Sequence, residues 1–254
     1  MSLPTPLYKL NAVQQKSVYE PSEDTFLLLD AIEKDIQWLR SLQPQIILEI
    51  GCGSGIVSAF LNQAIGGNVT SFATDYNQHA LECTMETGRL NGVKIEVIQA
   101  DLDNGLEHLE AIGGNVTSFA TDYNQHALEC TMETGRLNGV KIEVIQADLD
   151  NGLEHLENKV DILLFNPPYV PTESEPSNVL ERCWAGGANG REVVDRLLPR
   201  VSRLLSNKGV FYLVALHSND IPNLLKSCPD LEGTVTMERR CGIEHLYIIK
   251  YKRK

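Results

Sequence analysis

Residues 64–110 recur unchanged as residues 111–157, two adjacent copies of 47 residues that begin Ala64-Ile65-Gly66-Gly67 and Ala111-Ile112-Gly113-Gly114. This repeat restricts the fold more than any other feature of the chain. Solenoids stack three or more similar units with atypical ends; two identical copies inside a non-repeating sequence do not fit that pattern. They read as a recent duplication, natural or engineered, or as an error of gene assembly. Removing either copy leaves 207 of the 254 residues, an ordinary single-domain length. Because the copies are identical, the extra segment can be excised anywhere along the repeat and leave the same fold. The other copy is then an excursion, and lengthening a loop costs only ~0.6 kcal/mol per doubling. The first copy is expected in the sheet, since it follows directly on the preceding helical run and emerges first in synthesis. The displaced copy carries an apolar face it cannot bury alone, and would add to a sheet edge or promote aggregation.

The repeat also explains the charge. The chain has 34 acids against 22 Lys and Arg, a net charge of −12. Each copy holds eight acids and two bases, so the two copies carry the whole excess and the remaining 18 acids and 18 bases balance. Nucleic acid, whose binding rests on basic side chains, is therefore possible but not favoured. With 43% hydrophobic residues the chain can bury one good core. No apolar run approaches the roughly 18 residues of a membrane span, and no basic start with an apolar stretch opens the chain. No membrane association and a place in the cytoplasm, or also the nucleus, are expected. The six cysteines form no CxxC pair and no metal-ligand spacing; they are expected to be reduced, with no metal bound.

Outside the repeat, alternating patterns run the length of the chain. Residues 1–18 form a polar N-terminal lead, mobile or lying across the surface, and residues 19–254 form one domain. Ser22 caps a helix with Glu23, Asp24 and Thr25 in its first turn. Ile46 to Ile50 is a strand, followed at once by Gly51-Cys52-Gly53-Ser54-Gly55 and a helical run over 56–64. Inside the first copy, a strand over 69–73 ends in Thr74-Asp75, a helix spans 77–90, and a strand over 94–98 ends in Gln99-Ala100-Asp101. The second copy repeats those acids as Asp122 and Asp148. Beyond it, Val160 to Phe165 is an apolar strand stopped by Asn166-Pro167-Pro168-Tyr169. A polar loop over 171–190 with Trp184-Ala185-Gly186-Gly187 is a candidate lid. A helix over 191–205, a strand over 210–216, a short helix over 221–227 and two closing strands over 234–239 and 246–251 complete the pattern. Strands alternating with helices predict an α/β fold, doubly wound and mostly parallel, with an antiparallel closing strand.

Two stretches carry chemistry. A strand, a glycine-rich turn and a helix make a nucleotide-type site, where missing side chains let a ligand approach the backbone. The spacing is GxGxG rather than GxGxxG, which disfavours a pyrophosphate-binding dinucleotide fold. Each strand-end aspartate alone is an ordinary turn residue, but beside the glycine turn it becomes a candidate ligand for ribose or adenine. The second stretch is the proline-stiffened corner at Asn166. A residue before proline is held extended and each proline has nearly fixed φ, so one amide and free carbonyls are aimed at a planar, hydrogen-bonding group.

Together, Glu49-Ile50-Gly51-Cys52-Gly53-Ser54-Gly55, the strand-end acids, the Glu23-Asp24-Thr25 helix start, Asn166-Pro167-Pro168-Tyr169, and Trp184-Ala185-Gly186-Gly187 with Gly190-Arg191-Glu192 resemble the HemK family. These are class I, Rossmann-like, S-adenosylmethionine-dependent methyltransferases, and the likeness is to their eukaryotic glutamine N5-methyltransferase branch. The resemblance implies that Gly51 and Gly53 pass under the cofactor's methionine part, with Thr25 and Glu49 nearby. It implies that Asp75 or Asp122 holds the ribose hydroxyls and that Asp101 or Asp148 sits by the adenine. Asn166 and the Pro167 carbonyl would accept hydrogen bonds from the substrate NH2, with Pro168 stiffening the corner and Tyr169 against the group being methylated. An amide nitrogen is a weak nucleophile, so positioning, worth up to ~7–11 kcal/mol, should dominate catalysis. The implied substrate is a glutamine side chain in a class I translation termination factor. The implied partner is a small zinc-binding activator subunit in a heterodimer, paired along the sheet edge. The same four residues also serve enzymes that methylate the N6 of adenine, and protein lysine is a further target type in the family. From other classes, a NAD-dependent oxidoreductase and a catalytically inactive binding protein remain as alternatives.

Overall fold

The computed structural model describes residues 3–66, 69–99, 118–121, 142–145, 156–228 and 230–254. The chain divides into two units, Met1–Gln99 with Asn158–Lys254, and Ala100–Glu157. The larger unit begins in earnest at helix α1 (Glu23–Ser41). Ser22 is extended and shares a capping box with Thr25, and Glu23 and Asp24 occupy the first turn, where the helix dipole favours acids. Leu28, Ile32 and Leu39 recur at helical spacing and are fully buried; each contributes about 1.5–3 kcal/mol by burial.

Strand β1 (Ile46–Ile50), helix α2 (Ile56–Ile65), strand β2 (Thr70–Asp75), helix α3 (Gln78–Leu90) and strand β3 (Glu96–Gln99) follow. The smaller unit contains β4 (Ser118–Thr121) and β5 (Ile142–Ile145). After it come β6 (Val160–Phe165), the short α4 (Val179–Arg182), α5 (Glu192–Leu204), β7 (Leu205–Leu216), the short α6 (Ile221–Leu224), β8 (Leu231–Cys241) and β9 (Glu244–Arg253). Seven strands form one sheet in the order β3-β2-β1-β6-β7-β9-β8. The pairs from β3 to β7 are parallel, while β7 with β9 and β8 with β9 are antiparallel. The expected doubly wound sheet is present, closed by the antiparallel strands β9 and β8. Ile162, Leu164, Tyr212 and Ile248 face α1 and α2 in the main core. The alternate residues Leu163, Phe211 and Leu213 are equally buried on the other face, which is why these strands read as unbroken apolar runs.

Both β2 and β3 come from the first copy of the repeat. In the smaller unit, β4 and β5 are the equivalent strands of the second copy, and they pair in the same parallel register. Phe119 stands opposite Glu143 as Phe72 stands opposite Glu96. The lead lies across α3 of the first copy, where Asn77 Nδ2 donates to the Ser17 carbonyl at 2.6 Å and Asn91 exchanges two hydrogen bonds with Leu7 at 2.9 and 2.6 Å. Among the described residues no helix is long and apolar enough to cross a membrane, and no group of three His, Cys, Asp or Glu is placed to hold a metal.

Candidate active site

The chain runs outward from β1 through β2 to β3 and then returns to the other side of β1 as β6. This reversal opens a crevice at the carboxyl ends of β1 and β6, where ligands bind in such sheets. Ile50 and Phe165 are register partners, so Gly51 and Asn166 emerge side by side. A Cβ built on Gly51 would sit 3.8 Å from the Phe165 ring. The glycine turn and the asparagine corner therefore share one edge of the sheet.

Gly51, Gly53 and Gly55 all have positive φ, at 66°, 51° and 75°, a region other residues enter at a cost. Gly55 must be glycine on a second ground, since a Cβ there would fall 2.6 Å from Thr84 Cα. Over Gly53 there is open space, with nothing within 4 Å of a built Cβ; this is the cradle a cofactor needs. Helix α3 braces the turn: Thr84 Oγ1 donates to the Gly53 carbonyl at 3.3 Å and Thr87 Oγ1 to the Ser54 carbonyl at 2.7 Å.

Glu49, buried at the end of β1, accepts hydrogen bonds from the Ser58 N–H at 3.0 Å and from the Ser58 hydroxyl. Burial outweighs those bonds, and with nearby Asp75 it pushes the Glu49 carboxyl up to about 8. Asp75 ends β2 and is buried, which raises its pKa against the opposing backbone bonds. One oxygen accepts from the Gly53 N–H at 3.0 Å and the other from the Asn77 N–H at 2.9 Å. Asp75 thus ties the glycine turn to the second strand, a bracing role absent from the sequence reading. The remaining aspartates considered for the cofactor, Asp101, Asp122 and Asp148, lie outside the described residues.

At the corner, Pro167 and Tyr169 are buried while Asn166 and Pro168 are half-buried. Asn166 Nδ2 donates to Asp24 Oδ2 at 3.0 Å, and its Oδ1 is buried without a hydrogen-bond partner. The Tyr169 ring lies in the main core and its hydroxyl also donates to Asp24 Oδ2, at 3.0 Å. Burial, and then the Asp24 charge, raise the Tyr169 pKa above its ordinary value. Thr25 packs beside Asp24, 5% exposed, with its backbone N–H on Asp24 Oδ1 at 2.7 Å.

The segment over 171–190, the candidate lid, is hydrogen-bonded to the strand end and to Tyr76. The Val170 N–H donates to the Trp184 carbonyl at 2.9 Å and the Gly186 N–H to the Val170 carbonyl at 2.8 Å. At its far side, the Tyr76 hydroxyl reaches the Val179 carbonyl at 3.2 Å. A Cβ on Gly186 would strike the Pro168 carbonyl at 2.6 Å, and one on Gly190 the Tyr169 carbonyl at 2.1 Å. These glycines let the loop press against the corner. Two residues that sequence reasoning missed complete the site. Asp24 was visible only as a helix-start acid. Asn219, 1% exposed in the turn after β7, donates through Nδ2 to the carbonyls of Tyr169, Asn189 and Gly190 at 2.9, 3.1 and 3.2 Å; no local sequence signal marks it.

Among known proteins, a methyltransferase domain model matches residues 47–112, and a model described as methyltransferase small domain matches residues 109–238, about half of the chain. Methyltransferase HEMK2 of Mus musculus is 37% identical over 257 residues, covering 99% of this chain and 98% of that protein. The chain belongs to the HEMK2 methyltransferases. A second relative, the eRF1 methyltransferase catalytic subunit mtq2 of Schizosaccharomyces pombe, is 34% identical across 96% of this chain and 93% of its own length. The fold matches the E. cuniculi Mtq2–Trm112 complex with a TM-score of 0.57 at 23% identity, covering 93% of this chain and 99% of that one. HEMK2 membership decides the enzyme class: this is an S-adenosylmethionine-dependent methyltransferase, and the oxidoreductase alternative is set aside.

Proposed function

We propose that this chain transfers a methyl group from S-adenosylmethionine to the side-chain amide nitrogen of a glutamine in a class I translation termination factor, in the cytoplasm and together with a small activator subunit. The observation that carries this reading is the buried, unpartnered Oδ1 of Asn166 beside the glycine turn. A buried acceptor left unpaired costs about 1–3 kcal/mol, a cost removed when a substrate N–H arrives. The cofactor, when bound, supplies an electrophilic methyl group on a sulfonium. The chain's own part is to hold the nucleophile. Asn166 Oδ1 takes one N–H of a planar NH2 and the Pro167 carbonyl takes the other, which turns the nitrogen lone pair toward the open space over Gly53. No residue has to act as a base before transfer, because the nitrogen lone pair itself would form the new bond to the methyl carbon as the carbon–sulfur bond breaks; the surplus proton on nitrogen would then pass to water. The substrate and partner are supported by relatives: an eRF1 methyltransferase catalytic subunit, and a fold neighbour in complex with Trm112.

The test is incubation with labelled cofactor and the termination factor, with and without the activator, followed by mapping of the label. Label on one glutamine, absent from a factor in which that glutamine is replaced by alanine, is the expected result. Label on lysine or on adenine in DNA would overturn the assignment of substrate. Asn166→Ala should lower turnover on the order of 100-fold or more while leaving cofactor affinity within a few-fold of wild type. A large loss of cofactor binding would mean that Asn166 has a different task.

A further inference from the structure

We propose that Asp24 is a positioning residue for methyl transfer, fixing which end of the Asn166 amide faces the substrate. The inference rests on the reading above that Asn166 receives a planar NH2. Asp24 is 3% exposed, in the first turn of α1, and both of its oxygens are engaged. Oδ1 accepts from the Thr25 N–H at 2.7 Å, the Thr25 hydroxyl at 3.3 Å and the Tyr19 hydroxyl at 3.2 Å. Oδ2 accepts from Asn166 Nδ2 and from the Tyr169 hydroxyl, both at 3.0 Å.

An asparagine amide is nearly symmetric in shape, and its χ2 is broad and roughly two-fold. Sterics alone do not decide whether oxygen or nitrogen points into the crevice. Hydrogen bonding does, because an ionised carboxylate accepts and cannot donate. Facing Asp24, the Asn166 amide must turn its NH2 inward, which sends Oδ1 to the crevice. The buried, unpartnered Oδ1 is the visible result. A flipped amide would present a donor to the donor hydrogens of the substrate. The anionic partner also strengthens the acceptor, since hydrogen bonds in a chain polarise one another. Thr25, Tyr19 and Tyr169 hold the carboxylate itself in place from the helix, the segment just before it and the corner, so both oxygens are filled by the protein and neither is spare to take a substrate proton.

Asp24→Asn separates this role from helix capping, because the introduced amide keeps the size and can still accept from the Thr25 N–H with its oxygen. Its nitrogen then faces Asn166, which must flip to pair with it. The expected result is a fall in kcat on the order of 100-fold, with cofactor affinity and melting temperature close to wild type. Adding Asp24→Asn to Asn166→Ala should cost little more than Asn166→Ala alone, because both changes remove the same contact. Tyr19→Phe, which leaves Asn166 paired to Asp24, should retain turnover within about 5-fold. Near-normal kcat in Asp24→Asn, or losses that simply add in the double variant, would overturn the proposal. An Asn166→Ala variant that keeps its turnover would instead bring down the reading of the site itself. If Asp24→Asn melts early, the side-chain NH2 resonance of Asn166 in the wild-type protein decides: it should be displaced and slow to exchange when paired to a carboxylate, and an ordinary solvent-like signal would count against the role.

Discussion

At the scale of the residue, the site is built from groups whose roles only their surroundings distinguish. Gly53 and Gly55 share positive φ, yet only Gly55 faces Thr84 at 2.6 Å, while Gly53 opens onto free space. Gly55→Ala is therefore expected to cost about 2–5 kcal/mol by adding backbone strain to overpacking. Gly53→Ala should cost about 1–2 kcal/mol in stability, yet weaken cofactor binding about 10-fold or more by filling the cradle. Thermal melts and a calorimetric titration of both variants would show the contrast; normal binding by Gly53→Ala would mean the cofactor does not lie over the turn. Glu49 gives a pH signature. Its folded pKa of about 8 stands above the ordinary 4.5, so its contribution to stability is complete below pH 4.5 and is lost as pH rises through about 8. The cofactor's methionine end, which the family resemblance places near Glu49, carries an ammonium that would favour the ionised carboxylate. Cofactor affinity should accordingly rise with pH up to about 8, and Glu49→Gln should flatten that profile in a titration series.

At the scale of the element, the parts of the site legible in the sequence are those whose cause is local. The cap at Ser22, the strand ending at Ile50, the glycine turn and the proline stop after Phe165 are each specified by a few neighbouring residues, and the structure places all of them as read. The loop over 171–190 reads locally as a polar, glycine-rich segment, hence a lid. Its glycines are required by carbonyls of Pro168 and Tyr169, distant in sequence from the loop's far end. Asn219 acts across a similar span, joining the turn after β7 to three carbonyls of the corner and the loop. Asn219→Ala leaves those carbonyls unpaired and should cost about 2–4 kcal/mol, with turnover falling further than stability alone explains. Comparing denaturant midpoints with kcat at a temperature where both proteins are folded would check this; unchanged kcat would show that the corner holds its shape unaided.

At the scale of the whole molecule, the candidate cofactor acids are duplicated while the glycine turn and the Asn166 corner are not. The second copy begins at Ala111, after the glycine turn and before the Asn166 corner, and carries neither. Deleting residues 111–157 removes none of the seven strands of the main sheet, so the shortened protein should fold with the same melting behaviour and keep its activity. Asp75→Ala should weaken cofactor binding and loosen the turn, while Asp122→Ala should leave affinity unchanged in an equilibrium titration; equal effects would show that the copies exchange places. The sequence by itself determined the fold class, the crevice and the corner, because hydrophobic period, glycine φ and proline stiffness act over a few residues. Chain order, not local propensity, pointed to the first copy for the sheet, because identical segments have identical propensities. The sequence could not show that an acid in the first turn of α1 holds the amide of Asn166, 142 positions away. That contact was decided by the tertiary structure, through the burial of one carboxylate among donors drawn from distant parts of the chain.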